Sequence, residues 1–148
     1  MTDPLRPKVG TLRWRGVEVL AYKQKDSAPF RDVTRQVLFD DPTLACQLRY
    51  FEVAPGGHTT LERHEHAHAV MVARGHGECL VGDRVYAIAE RDLVHVPPLT
   101  WHQFRAGADA PLGFLCMVNG VRDRPQLPTA EDLHSMSRDP AIARFIAR

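Results

Sequence analysis

Apolar and polar residues alternate along most of the chain in short runs separated by glycine, proline and aspartate. That punctuation predicts strands and turns, and it offers no long helical period in the body of the sequence. The run "VEVLAY" (17–22) alternates, and "QVLF" (36–39) follows a polar loop. The longest candidate, "LACQLRYFEV" (44–53), ends where Pro55, Gly56 and Gly57 interrupt it. "AVMVA" (69–73) stops before Gly75. "ECLV" and "RVYAI" flank Gly82-Asp83, a pair suited to a tight hairpin turn. "DLVHV" (92–96) halts at Pro97-Pro98, because proline donates nothing to a ladder. "HQFRA" and "PLGFLCMV" complete the set. Short strands with regular turn signals predict an all-β sandwich or small barrel.

The end of the chain changes character. In "LPTAEDLHSMSRDPAIARFIAR", Thr129 is an N-cap candidate with acids behind it, and Asp139-Pro140 reads as a second cap and first helical residue. Two short helices over 129–147 are expected to lay Leu133, Met136, Ile142, Phe145 and Ile146 on the barrel or on a neighbouring subunit. A strand arm over 5–22, a barrel core over about 35–120 and this helical segment make one domain of 1–148.

Composition narrows the function classes. At 148 residues, 44% hydrophobic and 25% charged, the chain supports a real core. A formal charge of +1, with basic and acidic residues interleaved, gives no stripe for nucleic acid and no patch for a membrane surface. No apolar run is long enough to cross a bilayer, and no secretory leader precedes the first strand. Cys46, Cys79 and Cys116 are odd in number and widely spaced, which reads as buried thiols in a reducing, cytoplasmic setting.

One stretch stands apart. "GGHTTLERHEHAHAVMVARGHG" (56–77) holds five of the eight histidines, with Glu62 just ahead of three of them. In an extended chain Glu62, His64, His66 and His68 project from one face. A carboxylate and several imidazoles converging from one side suit a divalent transition metal: Fe, Mn, Ni, Cu or Zn. One strand end rarely closes a site. The second contributor is "RDLVHVPPLTWHQFRA" (91–106), where His102 opens a strand after a Pro-Pro turn. His95 and His134 read as surface residues, and His58 and His76 as exposed.

Together these two segments resemble the motifs of the cupin family. Gly56 is followed after five residues by Glu62-x-His64, after three more by His68 and after six more by Gly75, which is the family's framing. Glu62 stands where the family has its first histidine and His68 where it has its glutamate. Pro97 and His102 match the second motif, whereas Arg91, Leu99 and Ala106 replace its Gly, Gly and Asn. The resemblance implies a double-stranded β-helix, or jelly roll, a homodimer and a metal held by Glu62, His64, His68 and His102. In a second register His64-x-His66 is the pair, Val70 takes the glutamate position, and the ligands are His64, His66 and His102. Under the first register His66 sits in the turn as a supporting or rim group.

A small organic ligand would meet a wall drawn from Tyr50, Phe51, Met71, Trp101, Phe104 and Phe114, with Arg49, Gln103 and Arg105 as orienting groups. The expected activity is a metal-dependent, dioxygenase-type oxidoreductase, in which Glu62 could also serve as a base. The alternatives are a non-redox isomerase or lyase that polarises a carbonyl, and a non-catalytic binding cupin.

Overall fold

In the computed structural model, residues 3–23 and 28–147 are described; Met1, Thr2, residues 24–27 and Arg148, which fall in the expected domain, lie outside that set. Eleven strands and two helices follow in order. β1 (Lys8–Gly10) and β2 (Arg13–Trp14) form a small separate hairpin, and β3 (Leu20–Ala21) pairs with β4 (Arg31–Phe39). β5 (Cys46–His58), β6 (His68–Arg74), β7 (His76–Val81), β8 (Arg84–Ala89), β9 (Leu93–Val96), β10 (His102–Ala106) and β11 (Leu112–Asn119) join β3 and β4 in one curled antiparallel sheet, ordered β8-β7-β10-β5-β11-β6-β9. β4 lies on the other side of β5 from β11. The alternation predicted this all-β barrel, and the family resemblance implied its jelly-roll form.

β5 does not stop at Pro55 as expected. It pairs with β11 up to Val53 and resumes against β10 at His58, so Pro55, Gly56 and Gly57 are the corner where it changes partner. Gly56 takes φ +74°, and a Cβ on Gly57 would press on the Arg31 carbonyl oxygen at 2.5 Å. The alternating run at 17–22 contributes only the two residues of β3. It is an edge segment with β4 as its one partner, and the preceding turn ties Val17 N–H back to the Trp14 carbonyl.

Inward-facing side chains follow strand parity. Val33 on β4, Phe51 and Val53 on β5, Val70 and Val72 on β6, and Leu112, Phe114 and Cys116 on β11 pack into one core. The outer face of β5 is covered by the N-terminal segment, where Trp14 meets Tyr50 edge-on at 6.0 Å. Helix α1 (Ala130–Met136) starts at Thr129 with a complete capping box, and α2 (Pro140–Ala147) starts on the Asp139 carboxylate, which accepts from Ala141 N–H at 2.8 Å. Their apolar faces bury Ile142 and Phe145 against Leu61 and Leu80 of the barrel, with Leu133, Met136 and Trp101 around them.

Two positions where the second motif departs from glycine keep the backbone that glycine would adopt: Arg91 has φ 72° and Leu99 φ 53°. Both are tied down, Arg91 N–H to the Val72 carbonyl at 2.8 Å and Leu99 N–H to the His64 carbonyl at 2.7 Å. A left-handed conformation costs a side-chain-bearing residue roughly 1–2 kcal/mol. Arg91→Gly is therefore expected to raise unfolding stability by about 1 kcal/mol after glycine's own entropy loss. Gly75→Ala, at φ +74° with its Cβ driven into the Pro111 carbonyl, is expected to lower it by at least ~2 kcal/mol. Urea titration of both variants checks this; equal midpoints would contradict it.

Candidate metal centre

The site begins with a backbone splice. Residue 62 forms an isolated antiparallel bridge with residue 102: Glu62 N–H donates to the His102 carbonyl at 3.2 Å and His102 N–H to the Glu62 carbonyl at 3.0 Å. Arg63 is bridged in the same way to Gln126. The chain then bends at residues 65–66 and re-enters the sheet at His68. Two distant segments are thereby brought together, as the sequence spacing anticipated.

The ligating ring nitrogens of His64, His68 and His102 lie within 4.8 Å of one another. His66, His64 and His68 form a triangle of nearly parallel rings, with centroids 3.8 Å apart for His64–His66, 4.4 Å for His64–His68 and 5.2 Å for His66–His68. His102 meets His64 edge-on at 4.8 Å. His64 Nδ1 donates to the His66 carbonyl at 2.8 Å, and His102 Nδ1 donates to the Thr100 carbonyl at 2.9 Å. A carbonyl only accepts, so each ring carries its proton on Nδ1 and leaves a lone pair on Nε2. Nε2 of both His64 and His68 is buried without a hydrogen-bond partner. Two buried, unsatisfied ring nitrogens, on His64 and His68, together with the Nε2 lone pair of His102, fit a divalent transition ion.

Electrostatics point the same way. Burial, and next the His102 ring, push the His68 pKa down to about 2. Burial also lowers His102, to about 4, and lowers His64, where His66 is the second cause. The three rings are therefore neutral and able to bind metal across the physiological range. His68 Nδ1 lies 3.2 Å from Cys116 Sγ, whose thiol burial pushes up to about 12.

Glu62 lines the same cavity beside His102, but its carboxylate is engaged by Lys23 Nζ at 2.5 Å, and it is not among the three converging ligands. His66 also lines the cavity; its Nδ1 donates to Asp123 Oδ1 at 2.9 Å. Asp123 in turn accepts the Glu65 N–H at 2.8 Å, the main reason its pKa falls to about 2. His66 thus occupies the bend, stacked on a ligand candidate and anchored from outside.

Three expected wall residues, Tyr50, Met71 and Trp101, and two expected orienting groups, Gln103 and Arg105, are turned away from the cavity. Tyr50 faces away from Phe51, packs on Trp14 and donates to Glu52 Oε2 at 3.1 Å. Met71 points opposite to Val70 and Val72 and is 39% exposed. Trp101 packs with the helices under the Arg63 guanidinium, and Gln103 Nε2 donates to the Thr59 carbonyl at 2.8 Å on the side away from His102. Arg105 shares that outer side and lies over Phe145. Phe104, Phe51 and Phe114 do line the cavity, as expected, and stack with centroids 4.6 and 5.5 Å apart. The cavity measures about 150 Å³. Its wall also includes Tyr22, Lys23, Arg35, Arg49, Arg122 and Asp123. Of these, only Arg49 is suggested by sequence reasoning. Arg35 carried the same signal, a charge at the parity of Val33 and Val37, whereas Lys23 and Asp123 belong to no motif.

Comparison with known proteins was informative at this point. A family model described as "Cupin domain" matches residues 49–118. Over 143 residues the chain is 59% identical to a Rhodospirillum rubrum protein named 1-methylthio-D-xylulose 5-phosphate methylsulfurylase, covering 97% of this chain and 92% of that protein. Among solved structures, a cupin 2 conserved barrel domain protein from Rhodopseudomonas palustris is 60% identical with a TM-score of 0.90, covering 95% of this chain and 97% of that one. A cupin-2 domain protein from Rhodospirillum rubrum is 58% identical with a TM-score of 0.88, covering 98% and 97%.

In metal-free protein, His68 and His102 take up protons on unfolding once pH falls below their ordinary value of 6.5. Their folded pKa values are depressed, so stability is full above 6.5 and drains as pH falls toward 4. The expected slope is about 1.4 kcal/mol per pH unit for each proton taken up. Denaturant midpoints of apo-protein between pH 7 and 4 check this. A His68→Gln variant should lose part of the slope, and an unchanged slope would contradict the assignment.

Proposed function

The chain belongs to the cupin family, and from that premise we propose that it is a metal-dependent enzyme that breaks a bond beside a carbonyl group in a small molecule. The observation that carries this reading is the buried set of neutral imidazoles with unengaged Nε2 lone pairs on His64 and His68. His64, His68 and His102 hold the ion, one of Fe, Mn, Ni, Cu or Zn. Glu62 is the fourth donor of this reading, placed next to His102 by the backbone bridge and steadied by Lys23. When bound, such an ion supplies Lewis-acid polarisation of a carbonyl oxygen.

The oxygenase expectation gives way here to oxygen-independent chemistry in which a thiol co-substrate takes the sulfur and supplies the reducing electrons. A relative 59% identical is named for sulfur-group chemistry on a ketose phosphate and not as an oxygenase. In 1-methylthio-D-xylulose 5-phosphate the C1–S bond adjoins the ketose carbonyl. As a thiol acceptor forms an S–S bond to the methylthio sulfur, the C1–S bond breaks and its electron pair passes to C1. The polarised carbonyl stabilises that pair, and C1 takes up the proton the thiol releases. A thioether-substituted ketose phosphate is accordingly the substrate class we assign. The stacked wall of Phe51, Phe104 and Phe114 offers the methylthio group an apolar seat with sulfur–aromatic contact. The His66–Asp123 pair closes the opposite side and fixes the bend that carries His64. A homodimer, implied by the resemblance, remains part of the reading, and sedimentation velocity reads it directly.

The test incubates metal-loaded protein with 1-methylthio-D-xylulose 5-phosphate and a small thiol as sulfur acceptor, following the S-methyl proton resonance beside an oxygen electrode. The substrate's S-methyl signal should be replaced by a new one with no oxygen uptake. A chelator should stop the conversion, and added metal should restore it. Oxygen consumed in step with substrate, or conversion indifferent to chelation, would overturn the reading. Metal content separates the ligand assignments. Alanine at His64, His68 or His102 should remove the metal, whereas His66→Ala and Glu62→Gln should only weaken binding, by about 10- to 100-fold.

A further inference from the structure

We propose that Arg35, Arg49 and Arg122 form an anion subsite in the wall of the same cavity, which seats the phosphate monoester end of the substrate and so turns its carbonyl end toward the histidines. This rests on the reading above that the cavity takes a short phosphorylated carbonyl compound. The charges themselves make the case independently of any relative's name.

Arg35 on β4 stands opposite Phe51 in the ladder, and Arg49 lies two residues before Phe51 on β5, so the two guanidiniums are diagonal neighbours on the inward face. Arg122 follows β11 and is turned toward them while its Nη1 donates to the Asn119 carbonyl at 2.9 Å. Burial, and next the charge of Arg122, push the Arg49 pKa down to about 10, with Arg35 contributing in the same direction. Three like charges are thus gathered on one wall.

Among the described residues, none of the three has a carboxylate partner. The cavity's two carboxylates are already engaged, Glu62 by Lys23 and Asp123 by His66 and the Glu65 amide. Nε of Arg35 and Nε of Arg49 are sealed from solvent with no acceptor. Arg74 also has a buried Nε without an acceptor, but its guanidinium charge is answered by Glu52 Oε1 at 2.7 Å. Burying guanidinium charge without an acceptor is costly, and folds retain such an arrangement where a ligand supplies the missing anion. A planar fork with several N–H donors matches the oxygens of a phosphate monoester, which also carries the double charge that three arginines call for.

The subsite has a defined place relative to the metal ligands. Arg49 pairs across the ladder with Cys116 on β11, and Cys116 Sγ touches His68 Nδ1 at 3.2 Å. His68 and Arg49 therefore lie two strands apart, roughly 10 Å between backbones at about 4.8 Å per strand, with side chains reaching inward from both. A chain of a few carbons between carbonyl and phosphate spans that gap. A longer or unphosphorylated carbonyl compound cannot satisfy both ends.

The test uses the metal-loaded full-length protein, with D-xylulose 5-phosphate and D-xylulose titrated calorimetrically and inorganic phosphate as the probe in thermal melts at matched ionic strength. Wild type should bind the phosphate ester roughly tenfold or more tighter than the free sugar, and inorganic phosphate should raise its melting temperature. In Arg35→Gln and Arg49→Gln the margin should collapse while affinity for D-xylulose and metal content stay unchanged. Without phosphate these variants should melt above wild type, because the repulsion is gone. Equal affinity for both sugars in wild type, or a margin retained in the variants, would overturn the proposal. Variants that melt below wild type in chloride would also overturn it, since the arginines would then be structural. A phosphate margin present in wild type and lost in the variants, with no turnover of the methylthio substrate, would sink the reaction assignment while supporting the subsite.

Discussion

The hydrogen bonds from His64 Nδ1 to the His66 carbonyl and from His102 Nδ1 to the Thr100 carbonyl govern the rest of the centre. Each fixes a tautomer, turns a lone pair inward and does so with backbone that the fold has already placed. Rings stacked 3.8 and 4.4 Å apart could not share this space if they were protonated, and burial removes that option by lowering the pKa of His64, His68 and His102. Neutral donors that lack internal partners are stable only while something else satisfies them. That requirement connects folding energetics to metal chemistry.

Strand parity then distributes chemistry around the cavity. On the inward face His68 touches Cys116, which Arg49 faces across the ladder, and the stacked phenylalanines line the same cavity with Phe51 opposite Arg35. Lys23 pairs with Glu62, and Asp123 accepts hydrogen bonds from His66 and the Glu65 amide, so the two acids that would otherwise answer the arginines are engaged. The cavity thus combines neutral imidazoles, a stacked aromatic wall and guanidinium groups, a set that suits a small molecule with a carbonyl, a thioether and an anionic end.

Much of this was legible in the amino-acid sequence. Turn residues and alternation located most strands, and Thr129 and Asp139 located both helices. The spacing of His64, His68 and His102 brought two remote segments to one place, because a histidine on each side of a bend and one at a strand start are local facts. What was misjudged followed from treating neighbours in sequence as neighbours in space. Tyr50, Trp101 and Gln103 each adjoin a residue that faces the cavity, and Met71 lies between the core residues Val70 and Val72, and for that reason each faces away. Lys23, Arg122 and Asp123 escaped because they come from loops whose approach depends on the closed sheet. Arg91 and Leu99 looked like losses of the family's glycines, yet their backbones kept the left-handed conformation, held by the bonds to Val72 and His64.

The measurement that bears most directly on the central claim is pulsed electron paramagnetic resonance on protein loaded with Cu(II) or Mn(II), counting coordinated imidazoles through the remote ring nitrogen. The account expects three histidines on the ion in wild type and the same three in His66→Ala. A signal from two imidazoles or fewer in wild type, or the loss of one in His66→Ala, would show that the carbonyl-fixed rings of His64 and His102, with His68, are not the cradle described.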